Sequence, residues 1–418
     1  MAEYDVAVVG GSLAGTTTAT LLARQGLQVA LLERHRNPET HKVLCTHFIQ
    51  QGAIPTLRRL GLDERIQAAG GVYNCFRVWT RWGWIEPSFA AGCGYNIPRS
   101  KLDPLVRELA AETPGVEFIP GQTVTGLLDD DGAAAGVRMR GTDRKERELY
   151  ARLVVGADGH KSTVARLAAT KHKVTPNERF YCLGYYTGVQ LASARSGLWF
   201  LDPDFAFVLP NGDGVTLLAV MASKHRLPAF REDREAALLA FQRSLPDAPG
   251  LDEARLVSKV AITTDYPLVS RAPVPAPGVA LVGDAALTSD PVPAVGCGWA
   301  FETGAWLADA AGPALSGHGS LKAALRRYHR RHRAVRNHHF LIADWASART
   351  LNPVERLLFS AATRDQRIAD DFEAFASRRV PVRRMFRPGG LARAAWINLR
   401  HDRGRASADD RSAVRSAP

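Results

Sequence analysis

Apolar residues in this sequence never run unbroken for the roughly 18 positions that a membrane-spanning helix needs, so integral membrane association is not expected. Cysteine is scarce as well. The five, at positions 45, 75, 93, 182 and 297, include no C-x-x-C pair, which argues against both a zinc site and a disulfide framework. No metal is expected, and a reduced, cytoplasmic setting is the simplest one. The first apolar strand begins by Tyr4, which leaves no stretch that reads as a signal peptide. Acidic residues fall short of basic ones, 42 against 54, for a formal charge of +12. Much of that excess lies in residues 321–336 and in the tail. The helical spacing of Leu321, Leu325, Tyr328 and His332 reads as one packed face with a solvated basic face opposite it. No nucleic-acid-binding module accompanies the charge, so nucleic acid is not expected as a partner.

What is present begins at the N terminus. Residues 6–9 form a short β-branched run that reads as a buried strand, breaks at Gly10-Gly11 and passes into a helical pattern over 13–24. A tight turn from strand to helix leaves the first helical N–H groups unpaired, and with the helix dipole they attract a pyrophosphate. Gly10 allows the turn, Gly15 lets the helix pack on the strand, and Ser12 stands at the middle glycine position with a hydroxyl of its own to donate. A second strand over 27–32 ends in Glu33, 23 residues after Gly10, where a dinucleotide fold puts an acid on a ribose hydroxyl. Arg34 follows, suited to an extra phosphate or to the adenosine face.

Farther along, a helix is expected from near Gln50 to Gly61 and strands in the aromatic-rich 73–84 segment. Ser100 reads as the N-cap of a helix, with Asp103 at its third position. Strands follow at 116–118, 123–128 and 135–140, and another at 151–159 ends in Gly156-Ala157-Asp158-Gly159. Between 181 and 221 the period shortens to that of an antiparallel sheet. The strand at 278–286 ends in Gly283-Asp284, and a glycine-bearing loop over 291–298 leads into a helix from Trp299. The fold class expected is α/β: a discontinuous Rossmann-like dinucleotide-binding domain (1–70, 95–180 and 265–320), an inserted antiparallel β-sheet substrate domain (71–94 and 181–264), C-terminal helices (321–400) and a disordered tail (401–418).

Three separated segments, the 10–15 glycine turn with Glu33, Gly156-Ala157-Asp158-Gly159, and Gly283-Asp284 with its glycine loop, together resemble one group of FAD-dependent enzymes. It includes para-hydroxybenzoate hydroxylase and other aromatic monooxygenases, geranylgeranyl reductases and flavin-dependent halogenases. The resemblance implies that Gly10, Ser12 and Gly15 hold the FAD pyrophosphate and Glu33 its ribose. It sets Cys45, Thr46 and His47 along the flavin, Arg99 as a polar contact and Val124 beside the adenine. Asp284 would bind the ribityl chain, and the backbone of Gly296, Cys297 and Gly298 would approach the isoalloxazine ring. Asp158 would brace the fold.

Two departures stand out. Cys45 occupies the position of an arginine that the hydroxylases use for mobile flavin and NADPH, which leans toward the reductase and halogenase relatives. Trp82-Gly83-Trp84-Ile85-Glu86-Pro87 is similar to the halogenase W-x-W-x-I-P signature, but Glu86 replaces its isoleucine and the segment lies early in the chain. The activity implied is hydroxylation of an aromatic or polyketide-like small molecule in secondary metabolism, with O2 as co-substrate and NAD(P)H docking transiently as reductant. Reduction of isolated C=C bonds and halogenation are the alternatives.

Overall fold

Val6, Ala7 and Val8 are fully buried in β1 (Tyr4–Val9), the centre of a seven-stranded sheet in the computed structural model, which describes residues 3–415. β1 pairs in parallel with β2 (Val29–Glu33) on one side and with the Glu146–Gly156 strand on the other. Val116–Pro120 and Val279–Leu281 extend the parallel array beyond them. A parallel sheet is covered on both faces, which is why these strands are apolar runs rather than alternations. The Glu146–Gly156 strand does two jobs. Its first half pairs antiparallel with Ala133–Arg140, and its second half pairs with β1 from Ala151 to Gly156. Helix α1 (Leu13–Ala23), buried along its whole length, follows β1.

The second sheet has eight strands, built around Arg179–Thr187, Thr216–Ser223, Phe205–Pro210 and Ser196–Phe200. It is antiparallel save for one pair: Ser196–Phe200 runs parallel to Phe76–Thr80. The chain returns to the first sheet between these two strands, so packing rather than hairpin closure sets their direction. The Leu321–Trp345, Pro353–Ala362 and Gln366–Ala376 helices contribute Trp345 and Phe359, which pack on Phe200, and Phe372, which packs edge-on against Phe359. Among the described residues, no helix is long and apolar enough to cross a membrane.

Three local expectations are corrected. Cys75 and Cys93 form a disulfide. The pairing of Val72–Asn74 with Gly94–Asn96 puts Asn74 opposite Gly94, so the next two residues face each other whatever their sequence spacing. The Arg99–Glu112 helix is not capped by Ser100: Pro98 precedes it, and the Arg99 N–H donates to His47 Nδ1 at 2.9 Å. A tertiary partner thus takes over what the hydroxyl was expected to do. The last helix, Pro388–Arg415, runs through most of the segment read as a disordered tail. From 391 to 415 the sequence has no proline and a single glycine, Gly404, so no proline interrupts the helix there. Residues 416–418 lie outside those described.

Candidate active site

The turn after β1 begins the site. Gly10 has φ +115°, and a Cβ there would come within 2.5 Å of the Ala157 carbonyl oxygen; a Cβ on Gly15 would overlap the Gly10 carbonyl oxygen. Only glycine at both positions lets α1 start this close to its strands. Ser12, the residue before α1, gives no side-chain cap, and the first turn holds no acidic group. Its N–H groups and the positive end of the helix dipole are therefore left for an anion. The Gly296–Leu315 helix, which starts three residues before the expected Trp299, also lacks a side-chain cap.

Ser12 was expected to offer its hydroxyl to a phosphate. Instead the hydroxyl accepts from Arg99 Nη2 at 2.8 Å and donates to Asp103 Oδ1 at 3.2 Å. Arg99 and Asp103 form an ion pair at 2.6 Å, with side chains 4% and 1% exposed. Asp103 Oδ2 also accepts from the Lys42 backbone N–H at 3.0 Å. Arg107, one turn on, donates to the Gly11, Pro38 and Thr40 carbonyls. Asp103 and Arg107 were not expected in the site. Their i, i+4, i+8 spacing from Arg99 was visible in the sequence, since three charges on one face of an amphipathic helix must be solvated or paired.

Glu33 ends β2 with its carboxylate fixed by two backbone donors, Gly11 N–H at 2.8 Å and His35 N–H at 2.9 Å. If that carboxylate holds a ribose hydroxyl, Glu33→Ala should weaken FAD retention by about tenfold or more, the value of one charge-assisted hydrogen bond. Equilibrium dialysis of folded variant and wild type against FAD checks this.

Gly10, Ser12, Glu33, Arg34, Cys45, Thr46, Arg99, Val124, Asp284, Gly296 and Cys297 line one cleft of about 480 Å³. Ligand sites typically enclose ~300–1,000 Å³. Gly15, His47 and Gly298 do not line it. Gly15 is enclosed beneath Gly10, and a Cβ on Gly298 would face Arg378 and Ala53. Asp158 is spent on the fold: its carboxylate accepts from Ser162 Oγ and from the Thr163 and Val164 N–H groups.

Asp284, in the turn after Val279–Leu281, pairs with Lys42 Nζ at 2.8 Å. No sequence signal pointed to Lys42. Both side chains are partly exposed, so this pair adds ~0–1 kcal/mol to stability. Asp284→Ala should therefore melt like wild type in the apo form yet lose flavin. A variant that melts far lower but binds FAD normally would assign Asp284 to the fold instead.

Cys45 and Cys297 bring their Sγ atoms to 3.5 Å, with Arg99 Nη1 at 3.8 and 4.0 Å from them. The hydrogen bond with Cys297 and the charges of Arg99 and Lys42 hold the Cys45 thiol well below its ordinary value, against the cost of burial. Cys297 is pushed up in turn.

His47 is 2% exposed and structural. Because a backbone N–H can only donate, Nδ1 is the acceptor, and Nε2–H then donates to Tyr185 Oη. Burial lowers its pKa from 6.5 to about 4. Above pH 6.5 the group costs nothing. As pH falls below that, the unfolded chain binds a proton that the folded one refuses. Stability then declines by about 1.4 kcal/mol per pH unit from this group until pH nears its folded value. Melting temperature between pH 7 and 4 should thus fall less steeply in His47→Gln than in wild type; identical slopes would refute it.

The two uncapped helix starts, the enforced glycines and the anchored Glu33 fit FAD. The sequence model of a family described as an FAD binding domain matches residues 3–339. Digeranylgeranylglycerophospholipid reductase 1 of Methanococcoides burtonii is 26% identical over 344 residues, 79% of this chain and 80% of that protein. The myxobacterial chondrochloren halogenase CndH, described as a new variant of FAD-dependent halogenases, superposes with a TM-score of 0.71 at 22% identity, covering 90% of this chain and 97% of its own. PqsL of Pseudomonas aeruginosa, a probable FAD-dependent monooxygenase, gives 0.67 at 23% identity, covering 89% and 99%. Both structures share the fold.

Proposed function

The chain belongs to the FAD-binding-domain family, whose members are FAD-dependent oxidoreductases, and from that premise we propose that it is a monooxygenase hydroxylating an aromatic or polyketide-like small molecule. One observation carries this reading. A second cavity, of about 120 Å³, lies between the eight-stranded sheet and the C-terminal helices, walled by Phe76, Phe200, Phe205, Phe359 and Phe375. Ala294 lines both this cavity and the cleft. The 291–297 loop is the partition between them.

Bound FAD would supply the redox chemistry, taking electrons from NAD(P)H and passing them to O2. The protein's own residues do the rest. The first turn of α1 binds the pyrophosphate, Glu33 the ribose and Asp284 the ribityl chain, while the aromatic wall excludes water from the substrate. A cavity on the order of 150 Å³ accepts a benzene ring, so one of this size suits a single ring better than a long prenyl chain. The sequence has one dinucleotide fingerprint, consistent with a nicotinamide that docks only transiently. The domain division given above, a cytoplasmic setting and a role in secondary metabolism belong to the same proposal.

The second reading, reduction of isolated C=C bonds, is favoured by the thiol pair. Such a reduction requires a proton donor in the cleft, and the hydrogen-bonded Cys45–Cys297 pair places a thiol proton there. The two readings separate on product chemistry. Incubated with NADPH and an apolar aromatic extract, the protein should form hydroxylated products that vanish when oxygen is removed and are indifferent to halide. Products gaining two hydrogens without oxygen would favour the reductase, and halogenated products the halogenase.

A further inference from the structure

Four polar side chains line the aromatic cavity besides its apolar wall: Gln50, His338, Glu355 and Glu373. Two of them are spent on the protein, and a third, the neutral His338 ring, is held through one nitrogen. Gln50 donates to the Pro293 carbonyl at 2.8 Å and accepts from Arg378. Glu355 is bound by Arg349 and by Trp345 Nε1. His338 shares Nδ1 with the Ala334 carbonyl at 3.2 Å and stacks on Phe375, while its Nε2 is buried without a hydrogen-bond partner among the described residues.

Glu373 is different. It is 9% exposed, and among the described residues none donates a hydrogen bond to its carboxyl. The Arg379 charge acts on it, but that guanidinium donates its hydrogen bonds to the Ser377 hydroxyl and the Ala91 carbonyl. A carboxyl left without a partner in an apolar wall costs free energy unless something else satisfies it. We propose that Glu373 is the specificity residue of this cavity and grips an oxygen of the substrate, which selects an uncharged, hydroxyl- or carbonyl-bearing ring over both a bare hydrocarbon and a carboxylate. This rests on the reading that the cavity receives the substrate. Burial pushes the Glu373 pKa up to about 8, so at neutral pH the group is largely a neutral O–H donor. A carboxylate ligand would meet no free cation in the cavity wall, since Arg349 already serves Glu355.

The test is the affinity of three probes of similar shape, phenol, toluene and benzoate, for the FAD-loaded protein, read by isothermal titration calorimetry. Wild type should bind phenol up to about tenfold more tightly than toluene, and benzoate most weakly. Glu373→Leu should keep toluene and lose the preference for phenol. Glu373→Gln, which still donates, should retain most of it. Toluene binding with no phenol preference in wild type, or a preference that survives Glu373→Leu, overturns the role of Glu373 and leaves the cavity's function standing. If none of the probes binds, the reading of the cavity falls too.

Discussion

Gly15→Ala should purify without flavin and melt well below wild type. A methyl group at that position would overlap the Gly10 carbonyl oxygen and press on Ala157, neither of which can yield without moving a central strand. The helix must shift instead. The overpacking costs about 1–3 kcal/mol of stability. The shift also draws the first-turn N–H groups off the phosphate, and two charge-assisted hydrogen bonds lost together amount to roughly a hundredfold or more in affinity. Gly296→Ala is the control, because a Cβ there meets nothing within 4 Å. It should melt like wild type. A yellow Gly15→Ala protein with unchanged melting would mean that α1 does not dock as described.

Arg99→Leu should be the most destabilising change in the cleft wall. It strands the Asp103 carboxylate, 1% exposed, with only a serine hydroxyl and one backbone N–H for partners. Removing one member of a buried ion pair typically costs about 3–5 kcal/mol, because the remaining charge is uncompensated. The double variant Arg99→Leu/Asp103→Leu should recover much of that loss, since it removes both charges. Urea melts of the two single variants, the double and wild type give the coupling. A single-variant loss near zero, or a double variant worse than the sum of the singles, would contradict a buried pair that holds Ser12 and the Lys42 backbone in place.

The parts legible in the sequence are those set by neighbours along the chain. β1, the Gly10 turn, α1 and β2 with Glu33 at its end are local signals, and the parallel sheet around them follows from buried β-branched runs. The parts that were not legible depend on distant segments meeting. His47 displaces Ser100 as the partner of the Arg99 helix, and the Ser12 hydroxyl goes to Arg99 and Asp103 rather than toward a phosphate. The Cys75–Cys93 bond follows from strand register, which cysteine spacing does not encode. Lys42 reaches Asp284 across 242 residues. The aromatic cavity takes side chains from Phe48 to Phe386, so no single stretch announces it. Its unpartnered Glu373 sits in an amphipathic helix, where sequence alone reads a solvated acid.

In the proposed reading the cleft and the aromatic cavity form one oxygenating site across the Ala294 loop. The most direct measurement is a single turnover of FAD-loaded protein, reduced without oxygen in the presence of an apolar aromatic extract and then exposed to isotopically labelled O2, with products read by mass spectrometry. No product should form before oxygen is admitted, and afterwards a hydroxylated product should carry one labelled oxygen atom. A product that gains two hydrogens while oxygen is still excluded would contradict this reading.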